Sequence, residues 1–348
     1  MQRVPENQVR AGRQQPSSEP FECRRSPGRH FSRRKRYAKL LIRDKNLTNE
    51  QSATPKVSVL MTCYNAASTV EESVRSILAQ TFANFELVLV DNCSTDDSMS
   101  IVRKIGDSRI RIVALDKNHG RTPALNIALN NARGEYIAIL DADDITTADR
   151  LQLQVDRLDQ NTKLVLVASW YRNIDASGNL INEVKTPTDH LEVVRRLASN
   201  CPFMNSAVMF KSESIRSLGG YDETFAYSQD LALWLGLATL GEFEILPKFL
   251  TSIRLTATSL TNIPSFGLAR THDAYVLYKR AQGLEGLRAI DRLRGQRTIG
   301  LYGLLYAWRS LRAGNVVRAL GLTIANLWAI PLAIVELLRK TLGSRKPI

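Results

Sequence analysis

Apolar runs and amphipathic segments alternate along the chain from residue 57 onward. Four runs rich in β-branched and other apolar residues indicate buried strands, and the segments between them carry apolar residues at helical spacing. The strand segments are VSVLMTCY, FELVLVD, RIRIVAL and YIAILD, at residues 57–64, 85–91, 109–115 and 136–141. Nearly continuous apolar strands separated by helices are typical of a parallel sheet covered by helices on both faces. The pattern therefore predicts an α/β fold.

Capping residues set the expected ends of these helices. Ser68 is the predicted N-cap of the helix after the first strand. In the third helix Thr122 is the predicted N-cap, Pro123 suits the first turn, and Gly134 suits the C-terminal cap. Each assignment predicts a helix boundary that the structure can test.

The alternation becomes less regular in the second half of the chain. A helix is predicted at 149–160 and a strand at KLVLVASW, 163–170, followed by a turn at DASGN and a mixed region to about residue 260. The chain accordingly divides into three parts. Residues 1–54 form a basic tail that we expect to be disordered, residues 55–260 a folded α/β domain, and residues 261–348 a helical region.

The C-terminal region contains a long apolar segment, ALGLTIANLWAIPLAIVELL, at residues 319–338. Twenty residues would just span a bilayer. Asn326, Pro331 and Glu336 interrupt the segment, and a charge costs about 3 kcal/mol at the centre of a membrane helix. These residues favour an interfacial or re-entrant hairpin that contacts the membrane from one side, and a helix docked on the core is the alternative.

The net charge of the 348-residue chain is +13, but it is unevenly distributed. Residues 1–50 contain 13 Lys or Arg and 5 Asp or Glu, so most of the excess lies in the tail. The basic character therefore does not indicate a nucleic-acid-binding face on the folded part, and no specific nucleic acid is expected as a partner. The alternative is attraction of RRKRYAK, residues 33–39, to anionic lipid or nucleic acid.

The cysteines and the first residues of the chain indicate where in the cell the protein is expected. Cys23, Cys63, Cys93 and Cys201 show no paired spacing, so neither a zinc site nor a disulfide framework is indicated. The first 55 residues lack the apolar run of a signal peptide. We therefore expect the folded part to be cytoplasmic.

Polar residues follow each predicted strand, where ligands bind in an open parallel sheet. Tyr64 and Asn65 follow the first strand, Asp91 ends the second, and Arg121 lies beyond the third. No G-x-G-x-x-G follows the first strand and no P-loop motif occurs in the sequence, so a phosphate must be bound by other groups.

The fourth strand ends in Asp141-Ala142-Asp143-Asp144. Side chains two residues apart on a strand point to the same side, so the sequence predicts that the Asp141 and Asp143 carboxylates converge. Two hard oxygen ligands suit Mg²⁺ or Mn²⁺ together with substrate phosphates. The alternative is a solvated loop that caps the next helix, with Asp149 at its N-terminus.

Two stretches resemble the family 2 glycosyltransferases of the GT-A fold. They are VSVLMTCYNAASTVEESVRSILAQTFANFELVLVDNCSTDDS and NHGRTPALNIALNNARGEYIAILDADD, and the likeness extends over about residues 56–255. The resemblance implies a Rossmann-like, mostly parallel sheet flanked by helices, with the helical C-terminal region as an extension. It also implies an enzyme that moves a sugar from a nucleotide diphosphate sugar to an acceptor hydroxyl, with inversion at the anomeric carbon.

The resemblance also implies roles for the residues on the rim of the sheet. Tyr64, Asn65 and Asp91 would lie near the nucleotide base, and Asp91 would accept a hydrogen bond from a uracil-type imide, which favours a UDP-type donor. A turn that holds its own backbone is the alternative for Asp91. Arg121 would approach the base or the diphosphate, with a surface role as the alternative. Asp141 would contact the ribose or a metal-bound water.

Asp143 would be the direct metal ligand on this resemblance, and the stretch YSQDLALWLGL would supply the catalytic base. Asp230 is the candidate in that stretch, and a partner for the dipole of the helix it starts is the alternative. Arg254 is the candidate phosphate contact, or else a surface ion-pair residue. The sequence departs from the family pattern at Gln229, where an acid is common, and at Thr256 and Asn205, where a histidine is expected.

The leading hypothesis is a metal-dependent inverting glycosyltransferase of the hexosyltransferase type, acting in surface-polysaccharide or glycolipid synthesis. The expected acceptor is a saccharide or a lipid-linked saccharide, and the expected location is the cytoplasm, at the inner face of the plasma membrane. A catalytically silent module that binds a nucleotide or glycan is the alternative. A sugar-nucleotide pyrophosphorylase is disfavoured, because TCYNAAS lacks a glycine-rich, basic phosphate loop.

Overall fold

The computed structural model describes residues 54–225, 227–256 and 267–331. Within these ranges nine strands form one sheet in the order β3-β2-β1-β4-β8-β6-β9-β5, and β7 pairs with β6. The strands are β1 Val57–Cys63, β2 Phe85–Asp91, β3 Ile110–Ala114, β4 Tyr136–Ile139, β5 Ile145–Thr146, β6 Leu164–Ile174, β7 Leu180–Val184, β8 Met209–Lys211 and β9 Glu242–Arg254. The predicted tail at residues 1–54 lies, apart from its last residue, outside the described residues.

Helices pack around this sheet and continue beyond its last strand. They are α1 Val70–Leu78, α2 Ser98–Ile105, α3 Arg121–Asn131, α4 Arg150–Gln160, α5 His190–Leu197, α6 Ser212–Ser217, α7 Gln229–Leu237, α8 Gly267–Ala281, α9 Ala289–Arg312 and α10 Val316–Ala325, with short 3₁₀ helices at Asn205–Ala207 and Leu327–Ala329. The alternation of strands and helices confirms the predicted α/β class.

The first half of the sheet is parallel, as the apolar runs predict. β1 pairs in parallel with β2 and β4, and β2 pairs in parallel with β3. Every residue of β2 is buried, which is the burial pattern of a strand covered on both faces. The second half is mixed, because the three-residue strand β8 lies antiparallel between β4 and β6.

Three helix boundaries differ from the predicted ones. α1 has Thr69 rather than Ser68 as its N-cap. α3 begins one residue before Thr122, whose hydroxyl instead donates to the Phe225 carbonyl oxygen at 3.0 Å. Gly134 does not cap α3: a Cβ there would lie 2.4 Å from the Ser58 backbone nitrogen, so a glycine is needed for the close approach to β1.

The C-terminal helices pack in sequence order, α8 against α9 and α9 against α10. In the part of the chain that the structure describes, no helix has both the length and the apolar composition needed to cross a bilayer. The predicted apolar segment 319–338 is divided among α10, the 3₁₀ turn Leu327–Ala329 and residues beyond 331, which lie outside the described residues. The predicted boundary at residue 260 also lies outside them.

Candidate active site

The Asp-rich sequence after β4 forms a turn at the rim of the sheet. The Asp144 backbone N–H donates to the Asp141 carbonyl oxygen at 3.1 Å, and we call residues 141–144 the acid turn. Carboxylate oxygens of Asp141, Asp143 and Asp144 all lie within 4.8 Å of one another. The predicted convergence of Asp141 and Asp143 is present, but the reasoning from strand alternation is wrong, because β4 ends at Ile139. A turn brings the carboxylates together and adds Asp144 to them.

Three separate parts of the chain hold the acid turn. From the residue before α1, the Thr69 hydroxyl donates to the Ala142 carbonyl oxygen at 3.0 Å. Ser206, in the 3₁₀ helix Asn205–Ala207, accepts the Asp141 backbone N–H at 3.1 Å and donates its hydroxyl to the Asp144 carboxylate. These contacts fix the backbone of the turn before any ligand binds.

Arg254, at the end of β9, supplies the third attachment. Its backbone N–H donates to the Asp144 carboxylate at 2.9 Å, and its Nε donates to the Asp143 carbonyl oxygen at 3.0 Å. Its remaining nitrogens donate to the Ala176 carbonyl oxygen at 3.0 Å and to the Glu72 carboxylate at 2.6 Å. The guanidinium is buried and engaged on all sides. The predicted phosphate contact from Arg254 stays a prediction, and it would have to use the second N–H of the nitrogen that pairs with Glu72 or replace that pair.

The carboxyl groups of the acid turn repel one another. Burial, followed by the charge of Asp141, raises the pKa of Asp143 to about 6. Burial and the charges of Asp141 and Asp143 likewise hold the pKa of Asp144 well above its usual range. Such a concentration of negative charge is relieved by a bound cation, and oxygen ligands are those that Mg²⁺ and Mn²⁺ prefer. The donor set therefore fits the predicted metal.

Arg121 lies among the acids of the site. One of its terminal nitrogens is 2.7 Å from both carboxylate oxygens of Asp141, and its charge also acts on Asp143 and Asp230. Burial alone would lower the pKa of Arg121, but Asp141, Asp230 and Asp143 together outweigh it and raise the pKa overall. The residue begins α3 directly after Gly120, whose φ of 86° favours glycine. The contacts of Arg121 with these acids favour the predicted place at the site over the alternative of a surface arginine.

Asp230, the predicted base, lies in the first turn of α7. Its carboxylate accepts the Leu231 backbone N–H at 2.8 Å. Burial raises the pKa of Asp230, against the opposing effects of that hydrogen bond and of the Arg121 charge. The charges of Arg121 and Asp141 both act on the Asp230 carboxylate, so the three groups are near one another.

Helix α3 also holds the segment that leads to Asp230. The Asn126 side chain accepts the Tyr221 backbone N–H at 2.8 Å and donates to the Tyr221 carbonyl oxygen at 3.0 Å. The close approach requires Gly220, because a Cβ there would lie 2.7 Å from the Asn126 side-chain oxygen. One helix therefore positions both Arg121 and the polypeptide that carries the candidate base.

The residues predicted to contact the base lie at the ends of β1 and β2. Tyr64 is 50% exposed, and its ring is available to a ligand. Asn65 has a φ of 51° and uses its side-chain oxygen to accept the Thr95 backbone N–H at 2.8 Å. The Asp91 carboxylate accepts the Ser94 backbone N–H at 2.9 Å, so the alternative turn role is present in the structure. A bidentate carboxylate retains further acceptor capacity for a base.

Several site residues were not predicted from the sequence. Asp144 lies in the same acidic stretch, but alternation along a strand would point its side chain away from Asp141 and Asp143. Ser206 has no signal in its local sequence. Three buried polar groups near these residues lack a hydrogen-bond partner within the described ranges, namely the Tyr221 hydroxyl, the Gln229 side-chain oxygen and the Asn205 amide. Buried groups left unpaired in this way are suited to a polar ligand.

Solved structures share this architecture. TarS of Staphylococcus aureus in complex with UDP-GlcNAc has a TM-score of 0.58 at 17% identity, over 72% of each chain. The mannosyltransferase PcManGT of Pyrobaculum calidifontis, in complex with GDP-Man and Mn²⁺, has a TM-score of 0.56 at 21% identity, over 89% of this chain and 86% of that one. The fold is therefore of the GT-A class of glycosyltransferases, as the resemblance implied.

Sequence relatives give the family. A model of glycosyl transferase family 2 matches residues 58–214. An uncharacterized glycosyltransferase of Methanocaldococcus jannaschii is 34% identical over 58% of this chain and 71% of its own length. The UDP-Glc:alpha-D-GlcNAc-diphosphoundecaprenol beta-1,3-glucosyltransferase WfgD of Escherichia coli is 31% identical over 52% of this chain and 69% of its own length. The chain belongs to glycosyl transferase family 2 and is a glycosyltransferase.

Some relatives are much longer than the matched region. An uncharacterized glycosyltransferase of Rickettsia felis is 31% identical, but the chain covers only 34% of its length. The shared part is 59% of this chain.

Proposed function

We propose that this glycosyltransferase transfers a sugar from a nucleoside diphosphate sugar to an acceptor hydroxyl, with inversion and with the help of Mg²⁺ or Mn²⁺. The observation that carries the proposal is the position of Arg121, which pairs with Asp141 of the acid turn and also interacts with the charge of Asp230. One group of acids suits a metal–diphosphate complex, and a separate acid is left to act as a base. Inversion requires these two functions on opposite faces of the sugar carbon.

Asp143 and Asp141 would hold the metal, and Asp144 would support them. When bound, the metal neutralises the diphosphate and stabilises the charge that develops on the leaving oxygen. The contacts of Thr69, Ser206 and Arg254 keep the turn in place, so the ligands need little rearrangement on binding.

Asp230 would take the proton of the acceptor hydroxyl as the new glycosidic bond forms. A raised pKa makes the carboxylate a better proton acceptor than an ordinary aspartate, provided that the pH stays above it. The position of Asp230 at the start of α7 keeps the carboxylate beside the Leu231 N–H and limits its rotation.

The donor would lie over the ends of β1 and β2. Tyr64, Asn65 and Asp91 are at this rim, and Arg121 pairs with Asp141 and interacts with the charge of Asp230. Arg121 would contact the diphosphate by leaving Asp141 as the metal site fills. A UDP-type donor is favoured, in line with the UDP-GlcNAc complex of the similar TarS structure.

The acceptor would be a saccharide or a lipid-linked saccharide in the synthesis of a surface polysaccharide or glycolipid. WfgD, by its name, acts on a diphosphoundecaprenol-linked sugar, and another relative is the succinoglycan biosynthesis protein ExoO of Rhizobium meliloti. The cytoplasmic side of the plasma membrane is the location that suits such an acceptor. The unpaired Tyr221, Gln229 and Asn205 groups would bind hydroxyls of either substrate.

The test combines a donor screen with two substitutions. Purified protein is incubated with UDP- and GDP-sugars and Mn²⁺, and donor hydrolysis and nucleotide binding are both measured. We expect Asp143→Asn to lose Mn²⁺-dependent nucleotide binding together with turnover, whereas Asp230→Asn keeps binding and loses turnover. Nucleotide binding without turnover of any donor or acceptor in the wild type would instead identify the catalytically silent module.

A further inference from the structure

Helix α10 presents its large apolar residues outward. Val317, Leu320 and Ile324 are 84%, 59% and 68% exposed, and they share one side of the helix. The facing part of α9 adds further apolar residues across a groove between the two helices. We call this surface the apolar face, and its members are Trp308, Leu311, Val316, Val317, Leu320 and Ile324.

The packing between α9 and the residues after α10 fixes the orientation of α10. A Cβ at Gly303 would lie 2.4 Å from the Asn326 side chain, and a Cβ at Gly300 would lie 2.4 Å from the Ala329 Cβ. Within α10 and the residues that follow it to 331, the buried residues are Ala319, Asn326 and Ala329. Small residues therefore face the protein and large apolar ones face outward, which is the reverse of a helix that packs on a core.

The charged residues of the stretch that forms the apolar face are all of one sign. Residues 292–331 contain six arginines and no Asp, Glu or Lys. Arg312 and Arg318 are exposed beside the face, and the Arg312 guanidinium carbon lies 4.9 Å from the centroid of the Trp308 ring. Apolar and tryptophan side chains bordered by arginine suit the boundary between the acyl chains and the headgroups of an anionic bilayer.

We propose that the apolar face docks the protein on the surface of a bilayer that contains anionic phospholipid. Trp308, Leu320 and Ile324 enter the interface, while Arg312 and Arg318 contact phosphate headgroups. Pairing of two copies through the same face would bring arginine against arginine with no acid in residues 292–331 to compensate, so the charges favour lipid over a second copy. This docking does not depend on the proposed reaction.

Vesicle flotation of the full chain tests the proposal. We expect binding to vesicles of equimolar phosphatidylcholine and phosphatidylglycerol, and weaker binding to pure phosphatidylcholine or at high salt. The combined substitution Val317→Gln, Leu320→Gln and Ile324→Gln should weaken binding by roughly tenfold or more, because apolar area no longer enters the interface. Arg312→Gln with Arg318→Gln should weaken binding to the anionic vesicles on the order of 30-fold and leave binding to phosphatidylcholine unchanged.

The matched control replaces exposed apolar residues elsewhere. Leu180 and Ile181 on β7 are 58% and 53% exposed, and Leu180→Gln with Ile181→Gln should bind vesicles as the wild type does. Equal loss in the control and the α10 variant would overturn the proposal, as would full retention by the α10 variant. Sedimentation velocity provides a further check: if the α10 substitutions convert a dimer to a monomer and the wild type does not float with vesicles, the face is a self-association surface and the proposal is wrong.

Discussion

Arg121 and Arg254 both lie beside the acid turn, yet their surroundings differ. Arg254 is buried and donates to backbone carbonyls of Asp143 and Ala176 as well as to Glu72. Arg121 is partly exposed and pairs with the carboxylate of Asp141. Arginine contacts to carbonyls connect pieces of backbone, whereas a contact to one side chain can be exchanged for a ligand. Arg254 is therefore part of the framework of the turn. Arg121 is the arginine whose partner a ligand could replace.

The largest expected effect is on the Arg121 side of the site. Asp230→Asn removes the proposed base, so we expect kcat to fall on the order of 10³-fold with nucleotide affinity retained. Steady-state rates and nucleotide titration measure the two quantities. Glu213→Gln, an exposed acid on α6, is the control and should keep full activity. An unchanged kcat in Asp230→Asn would remove Asp230 from the chemistry.

Replacement of Arg254 should lower the stability of the protein. Arg254→Met leaves the Glu72 carboxylate and several carbonyl oxygens without their donor, so we expect the free energy of unfolding to fall by about 3 kcal/mol. Urea denaturation measures the loss, with the exposed Arg103→Met on α2 as the control. A stability like that of the wild type would mean that the contacts of Arg254 contribute little and that the two arginines differ less than their surroundings suggest.

Arg121→Gln should affect activity more than stability, which is the opposite of the effect expected for Arg254→Met. We expect kcat/KM to fall about 100-fold, because a cationic contact to the diphosphate is lost, while the free energy of unfolding changes by less than about 1 kcal/mol. The same denaturation and rate measurements apply. If the unfolding energy fell as far as in Arg254→Met, Arg121 would be part of the framework of the turn and the contrast would fail.

The smallest expected effect is a pH dependence of stability at the turn itself. The pKa of Asp143 is raised to about 6 in the folded protein, so the folded state binds the proton more tightly than the unfolded state does. The stabilisation from this proton is present below the unfolded pKa and is lost as the pH rises through about 6. Asp143→Asn should therefore be more stable than the metal-free wild type at pH 7, by about 1–2 kcal/mol, and similar to it near pH 4.

Denaturation curves without metal at several pH values check this prediction. Adding Mn²⁺ should stabilise the wild type and not Asp143→Asn, because the ion binds the folded state. A pH-independent difference between the two proteins would show that Asp143 is ionised without cost in the folded state.

The sequence predicts the part of the fold that depends on local pattern. Strands β1, β2 and β4 follow from apolar runs that are buried on both faces, and the parallel pairing of the first four strands follows from the helices between them. β3 was also expected to be buried, but it is the edge strand, and only Val113 of its five residues is buried. β8 has only three residues, and its antiparallel insertion beside β4 depends on contacts with β6 that no local pattern encodes. The helix starts at Val70 and Arg121 were missed by one or two residues, since several adjacent polar residues suit a cap.

The candidate site, like the fold, was only partly predictable from the sequence. Asp141, Asp143 and Arg121 follow strands of the predicted sheet, so their position along the chain indicates its rim. Asp230 was indicated only by the resemblance of YSQDLALWLGL to the family. The role of Arg254 was not predictable, because its partners Glu72, Asp143 and Ala176 come from three distant parts of the sequence. Ser206 is similar: its hydroxyl matters only because the 3₁₀ helix lies against the acid turn.

The attachment of the segment before α7 to α3 has a consequence for how this enzyme can diversify. Asn126 contacts the main chain of Tyr221, and Thr122 contacts the main chain of Phe225. Bonds to main-chain atoms do not depend on which side chains the loop carries. Asp222 must stay, because its carboxylate accepts from the backbone N–H and the hydroxyl of Thr224 and closes the turn. Other side chains of this loop can change while both main-chain attachments to α3, and with them the start of α7, keep their positions.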